Sequence, residues 1–179
     1  TFVGRYAGRE TTTGSGNSFF GSGAGFSTTT AINNVYMGTA AGYWNTIGAQ
    51  NVLIGAQAGQ STTTAISNAM LGYLAGLNTT TGNFNLFLGA FSGQTNTTGA
   101  SNTYVGYNTG GSATLTNAAA IGANAQVTAS NSLVLGGTGA NAVNVGVGVT
   151  APQAELEVNG FTMLGSNAPK IKMLKLTGT

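Results

Sequence analysis

The feature that most constrains this chain is a repeat of 17 residues. Two large apolar residues followed by a glycine recur at this fixed distance, and a second glycine follows four residues after the first. We call the first glycines the corner glycines; they are Gly4, Gly21, Gly38, Gly55, Gly72, Gly89 and Gly106. The spacing then shortens to 16 residues at Gly122 and 14 at Gly136. Such a period predicts a solenoid in which equivalent residues stack from coil to coil.

The residue types between the glycines favour strands over helices. Thr, Val, Ile, Phe and Tyr prefer extended backbone, and glycines this frequent would destabilise a helix by roughly 1 kcal/mol each. We therefore predict an all-β fold, a β-solenoid (parallel β-roll) of 17-residue coils, each with two or three short strands. Residues 1–138 form this solenoid. Residues 139–179, where Glu155, Glu157, Lys170, Lys172 and Lys175 alternate with apolar residues, are expected to form a small C-terminal β cap or connector.

Charge is nearly absent from the chain, which limits the chemistry that it can perform. Charged residues make up 4% of the sequence, there is no His or Cys, and no charged residue occurs between Thr11 and Ala154. Acid–base catalysis and metal binding need titratable or ligating side chains, so we predict a protein that is not an enzyme and has no cofactor or metal. Five basic residues are too few for a nucleic-acid surface. No apolar run approaches the roughly 20 residues of a membrane span, so membrane insertion is not expected.

One asparagine recurs in every repeat, four residues before the corner glycine. We interpret this row as an internal ladder, in which stacked amides satisfy one another and the backbone; a ligand-binding row is the alternative. Its members are Asn17, Asn34, Asn51, Asn68, Asn85 and Asn102.

The two apolar residues before each corner glycine predict self-association. Adjacent residues of a strand point to opposite faces, so a single coil can bury one row and must expose the other. An exposed apolar stripe usually marks an interface, and cyclic association of identical chains would cover it. We predict a homotrimer, with a monomer that covers or tolerates the stripe as the alternative. The predicted subunit interface is the row Phe19, Tyr36, Leu53, Met70, Phe87 and Tyr104. Its rings, with Tyr43 and Trp44 nearby, are also an alternative carbohydrate-stacking surface.

Threonines offer an alternative function. Four coils contain Thr-x-Thr, whose two side chains would share one face of a strand. Stacked coils would then present two columns of hydroxyl and methyl groups, a geometry that resembles the ice-binding face of β-solenoid antifreeze proteins. The residues of this alternative face are Thr11, Thr13, Thr28, Thr30, Thr62, Thr64, Thr79 and Thr81.

Three segments resemble known fibre families. The stretch 119–127, followed by Leu133-Val134-Leu135-Gly136, is similar to the head repeats of trimeric autotransporter adhesins, which form an intertwined trimeric β-roll. Units such as 51–59 resemble the longer repeats of bacterial and phage tail-fibre proteins. Residues 144–152 with 156–160 resemble fibres that carry a C-terminal intramolecular chaperone, and the chaperone itself has no counterpart in this sequence.

These resemblances imply a structural fibre segment of a phage tail fibre, an injection-system fibre or a bacterial surface adhesin. Such a segment would be extracellular, would partner with copies of itself, and would space and present a region that binds a host or surface receptor, for example a cell-surface glycan. Ice binding and a receptor-free extracellular matrix filament are the alternatives.

Overall fold

A computed structural model describes residues 1–159, and its main element is a nine-stranded parallel sheet. Each strand pairs with the equivalent strand of the next coil; Phe19 lies opposite Tyr36, and Leu53 opposite Met70. The predicted β-solenoid of stacked coils about 17 residues apart is confirmed. The sheet contains β1 Phe2–Val3, β2 Ser18–Phe20, β3 Val35–Met37, β4 Val52–Ile54, β5 Ala69–Leu71, β6 Leu86–Leu88, β7 Thr103–Val105, β9 Ala119–Ile121 and β11 Leu133–Leu135.

Most coils contain one regular strand, fewer than the two or three predicted. The rest of the coil is a series of turns, although its backbone still bonds to the next coil: the Gly25 N–H donates to the Ala41 carbonyl at 2.9 Å, and the Thr29 N–H to that of Thr46 at 3.0 Å. A second ladder occurs only near the end of the solenoid, where β8 Gly110–Gly111 pairs with β10 Gln126–Val127. The backbone hydrogen bonds therefore continue from coil to coil without requiring extended conformation.

The two glycines of each repeat are required for different reasons. Gly38 has a φ of +138°, and a Cβ there would lie 2.5 Å from the Gly55 carbonyl oxygen in the next coil. Gly42 has a φ of +57°, and its Cβ would lie 2.6 Å from the ring of Tyr36. The corner glycine thus permits close approach of two backbones, and the second glycine makes room for a large side chain in the interior.

Two further positions of the coil adopt left-handed backbone, in most coils with a residue other than glycine. They lie two and twelve residues after the corner glycine, and residues as bulky as Leu74, Phe84 and Phe91 have φ of 57–59° there. Such conformations cost about 1 kcal/mol each. The N–H of Phe91 donates to the Tyr73 carbonyl of the coil before it at 2.9 Å, so these turns are held by the same stacking hydrogen bonds as the strands.

The core is a column of large side chains inside the coils, lined by small ones. Phe19 stacks on Tyr36 at a ring separation of 4.7 Å, and Phe87 on Tyr104 at 5.0 Å. Offset stacking of this kind adds to the hydrophobic stabilisation from burial. Ala41 and its equivalents in neighbouring coils complete the buried cluster.

Residues 1–143 form one compact unit, and the described residues 144–159 belong to a second. The first unit ends beyond a single 3-10 turn, Gly139–Asn141. In the second, β12 Val145–Val147 pairs in parallel with β13 Leu156–Val158. The lysines predicted to punctuate the C-terminal segment lie outside the described residues. Within residues 1–159 no helix is long and apolar enough to cross a membrane.

Candidate self-association surface

The row predicted as the subunit interface lies inside the coil instead. Phe19, Tyr36, Leu53, Met70, Phe87 and Tyr104 are all fully buried within a single chain. The physical reason is the second glycine of each repeat, which leaves space for these side chains; the ring of Phe19, for example, occupies the volume that a Cβ at Gly25 would need. This row therefore cannot form a subunit interface, and the prediction named the wrong row. It also cannot form the alternative carbohydrate-stacking surface.

The neighbouring row, one residue before the corner glycine, is the exposed one. Phe20 is 37% exposed, Met37 46% and Leu88 43%, and Ile54 and Leu71 are half-buried. These side chains point away from the core because successive residues of a strand alternate between its faces. A single chain thus leaves one apolar row uncovered, as expected from the sequence. The exposed row is the one directly before the corner glycine, whereas the row expected from the sequence is the one two residues before it.

A second row, apolar except for Ser18 and Thr103, lies on the same side of the sheet. It stands three residues before the corner glycine and includes Val35, Val52, Ala69 and the 39%-exposed Leu86. We call the two rows together the sheet face; it consists of Val3, Phe20, Met37, Ile54, Leu71, Leu88, Val105, Ile121 and Leu135 in the first row, and Ser18, Val35, Val52, Ala69, Leu86, Thr103, Ala119 and Leu133 in the second.

The sheet face is long, narrow and uncharged. Nine strands at the usual spacing extend for about 40 Å, and three residues across each strand give a width of about 10 Å. None of its residues carries a charge. A continuous apolar surface of this extent is comparable to the largest apolar patch on a typical soluble monomer, and such a patch often has a function.

A depression interrupts one edge of the sheet face. In the second row the small side chain of Ala69 lies between the larger Val52 and Leu86, and the exposed Phe84 lies beside it. The resulting shallow space has a volume of about 480 Å³ and is open to solvent. It has room to receive a side chain from a second copy packed on the face, and its mainly apolar lining suits such a contact.

The asparagine ladder is confirmed. The Asn34 side-chain Nδ2 donates to Asn17 Oδ1 at 3.1 Å, and the Asn34 backbone N–H donates to the same oxygen at 3.0 Å. The Nδ2 also donates to the Gly48 carbonyl at 2.9 Å. The pattern repeats through Asn51, Asn68 and Asn85. These amides are buried and engaged within the chain, which makes the row a structural element.

The two threonine columns do not share an exposed face. The first Thr of each Thr-x-Thr points inward: Thr28, Thr62 and Thr79 are fully buried, and Thr11 is half-buried. The second Thr of each segment is exposed; these residues are Thr13, Thr30, Thr64 and Thr81. Turn backbone in this part of the coil places the two side chains on different sides. The predicted two-column face is therefore absent, and one exposed column remains, interrupted by Ile47.

The middle threonine has a role that the sequence reasoning missed. The Thr29 hydroxyl donates to the Thr46 carbonyl at 3.1 Å, and the Thr46 hydroxyl to the Thr63 carbonyl at 3.2 Å. The same bond recurs in each coil from Thr12 to Thr97. The constancy of this residue in the repeat was the signal, since a side chain that bonds to the next coil cannot vary freely.

Two tyrosines of the core are held in the neutral form. Burial raises the pKa of Tyr104 to about 12, and it raises the pKa of Tyr36 further, against the opposing effect of hydrogen bonding to Asn45. The Asn45 amide donates to the Tyr36 hydroxyl, whereas the Tyr104 hydroxyl has no partner among the described residues. Buried phenols of this kind stabilise the core only while they remain protonated.

No metal centre is apparent in the part of the chain that the structure describes, where no three His, Cys, Asp or Glu residues cluster. Comparison of the chain with protein-family models, with curated proteins and with solved structures finds no match.

Proposed function

We propose that this chain is a structural fibre segment that associates with copies of itself through the sheet face. The observation that supports the proposal is the uncovered apolar face, about 40 Å long, on a chain whose own core is already filled. In the expected homotrimer, three sheet faces pack around an axis parallel to the solenoid. The number three rests on the resemblance of the repeats to trimeric fibre proteins.

The energetics favour association of these faces. If the face removes roughly 400 Å² of apolar surface from water in each chain, burial contributes about 10 kcal/mol per chain before the costs of association. Equivalent residues meet near a symmetry axis, so a charge on the face would be placed beside identical charges. The absence of charge from both rows of the sheet face agrees with this requirement.

The proposed role is mechanical and extracellular. Stacked coils tied by the asparagine ladder form a stiff spacer, and several associated copies would bind a receptor by avidity. Such a spacer would suit a phage tail fibre, an injection-system fibre or a bacterial adhesin, the fibres that the repeats resemble, and it would need no catalytic residue. A receptor-free matrix filament would use the same association, and a screen of cell-surface glycans distinguishes it by the absence of binding.

The experiment is the solution mass by light scattering, combined with a substitution on the sheet face. The unmodified chain is expected at three times the 17.7 kDa mass of one copy. Leu71→Lys should shift it to one copy, whereas the matched control Thr64→Lys, on the exposed threonine column, should not. Circular dichroism checks that both variants keep the fold.

A monomeric unmodified chain at millimolar concentration would overturn the proposal. A Leu71→Lys variant that keeps the mass of the unmodified trimer would show that association uses another surface.

A further inference from the structure

A second surface, separate from the sheet face, contains the first two positive charges of the chain among stacked aromatic rings. We call it the aromatic–arginine patch; its residues are Arg5, Tyr6, Arg9, Phe26, Tyr43 and Trp44. Arg5 and Arg9 are the only basic side chains before Lys170. A solenoid with so few charges therefore concentrates its positive potential at this patch.

The centre of the patch is a column of equivalent residues in three successive coils. Arg9, Phe26 and Tyr43 each lie five residues after a corner glycine. The Arg9 guanidinium lies 5.3 Å from the centre of the Phe26 ring, and the rings of Phe26 and Tyr43 are 4.8 Å apart and nearly parallel, at 6°. The stacking of coils thus builds a continuous column of half-buried rings, in which the faces of neighbouring groups lie against one another and the ring edges are left to solvent.

Two exposed aromatic residues flank this column. Tyr6 lies edge-on to Phe26 and is 45% exposed, and Trp44 lies edge-on to Tyr43, at 72°, and is 54% exposed. Tyr6 also lies beneath both guanidinium groups, at 4.5 Å from Arg5 and 5.2 Å from Arg9. The rings and the charges therefore form one connected surface.

The backbone beneath the patch accommodates it. Gly23 occupies a position where other coils have Ala40, Gln57 or Leu74. A Cβ at Gly23 would lie 3.2 Å from the Tyr43 ring, which is a closer approach than ordinary van der Waals contact. The smallest residue thus stands where the ring of Tyr43 needs room.

We propose that the aromatic–arginine patch binds an acidic polysaccharide, a polymer of pyranose rings that carry carboxylate groups. The C–H groups on the face of a pyranose ring are attracted to the negative face of an aromatic ring, and Trp44, which is 54% exposed, is the ring of the patch that is most open to such a contact. Guanidinium groups donate paired hydrogen bonds to a carboxylate while they remain stacked on aromatic faces. The exposed Glu10 follows Arg9 in the sequence and offsets part of the positive charge of the two arginines. A weakly positive patch suits isolated carboxylates along a sugar chain better than a dense row of phosphates.

The test uses Trp44, the single tryptophan of the chain, as a reporter. Galacturonate oligomers titrated into the unmodified protein should change its emission in a saturable way. Fully methyl-esterified oligomers of the same length are the matched control, because they keep the rings and lose the charge. They should bind about tenfold more weakly, and added salt should weaken only the charged oligomer.

Substitutions locate the site. The double variant Arg5→Gln/Arg9→Gln should raise the half-saturating concentration about tenfold, because each exposed charge contact contributes a few-fold. Trp44→Ala, followed by calorimetry, should weaken binding as well. Tyr107→Ser alters a separate exposed ring, edge-on to Phe91, and should leave the half-saturating concentration unchanged.

Three outcomes would overturn the assignment. The first is the absence of a saturable change in emission with galacturonate oligomers. The second is a half-saturating concentration for the double arginine variant equal to that of the unmodified protein. The third is tighter binding of a thymidine oligonucleotide, which would make the patch a single-stranded nucleic-acid surface. Light-scattering mass of the same samples keeps the result independent of the proposed fibre: binding by a monomer would support the patch while contradicting the trimer.

Discussion

The side chain of Asn51 donates a hydrogen bond to Asn34 Oδ1 at 3.2 Å, and the Asn51 backbone N–H donates to the same oxygen at 2.9 Å. One carbonyl oxygen thus joins two coils through both side chain and backbone. Asn51 Oδ1 does the same for Asn68. Each asparagine is therefore a link in a chain of buried polar groups that runs through the solenoid, and removal of one link leaves groups on both sides without partners.

Asn51→Ala should destabilise the protein by about 2–5 kcal/mol, because the buried N–H of Asn68 and the Ala65 carbonyl each lose a partner. The measurement is urea unfolding followed by circular dichroism. Thr64→Ala, on the exposed threonine column, is the matched control and should change the unfolding free energy by less than about 0.5 kcal/mol. Equal effects of the two substitutions would contradict a structural role for the ladder.

Gly42→Ala should destabilise the protein more than Gly139→Ala. Both glycines have left-handed φ, +57° and +60°, but a Cβ at Gly42 meets the Tyr36 ring at 2.6 Å, and one at Gly139 meets nothing within 4 Å. The Gly139 variant therefore isolates backbone strain, about 1 kcal/mol, whereas the Gly42 variant adds overpacking of about 1–3 kcal/mol. Thermal unfolding of both variants measures the difference. A Gly42 variant as stable as the Gly139 variant would show that the core can make room for the methyl group.

Stability should fall as pH rises from 10 to 12, through the ionisation of tyrosine. Below pH 10 the phenol of Tyr104 is protonated in both the folded and unfolded chain, so it contributes no pH dependence. Between pH 10 and the folded-state pKa of about 12, the unfolded chain loses a proton that the folded chain retains. The free energy of unfolding therefore decreases, by at most about 2 kcal/mol from this residue.

Tyr104→Phe is the matched variant for this effect. It removes a buried hydroxyl that has no partner among the described residues, so it should be neutral or stabilising at pH 7. Its free energy of unfolding should also fall less steeply between pH 10 and 12 than that of the unmodified protein. Tyr36→Phe is expected to differ at pH 7, because it leaves the Asn45 amide without the hydroxyl to which it donates. An unchanged alkaline slope in Tyr104→Phe would contradict the pKa argument.

The repeat predicted the coil, its period and the asparagine ladder, because identical residues at a fixed spacing must stack. It did not determine which of two adjacent apolar residues faces inward. Phe19 and Phe20 are equally suited to a core, and only the volume left by Gly25 on the inner side places Phe19 there. That glycine was visible in the sequence, but its distance from the ring was not.

The turns were the least predictable part of the coil. Phe84 and Phe91 adopt left-handed backbone, which their residue types disfavour. The equivalent positions hold Gly16, Gly23 and Asn33 in other coils, and this was the available signal. Because the turns were not recognised, the Thr-x-Thr segments were treated as strands, and the first threonine was expected on the outer surface. In the structure this threonine points into the coil.

The most direct test of self-association through the sheet face is a disulfide between copies. The chain has no cysteine, so Met37→Cys places a single thiol on the sheet face and Thr30→Cys places one on the exposed threonine column. In copies packed in register around an axis, each thiol introduced by Met37→Cys would lie near its equivalents, within the roughly 7 Å between Cα atoms that a disulfide spans. Mild oxidation should therefore convert most of the Met37→Cys protein to covalent dimers and leave Thr30→Cys monomeric on a denaturing gel. Equal, slow cross-linking of both variants would contradict packing through the sheet face.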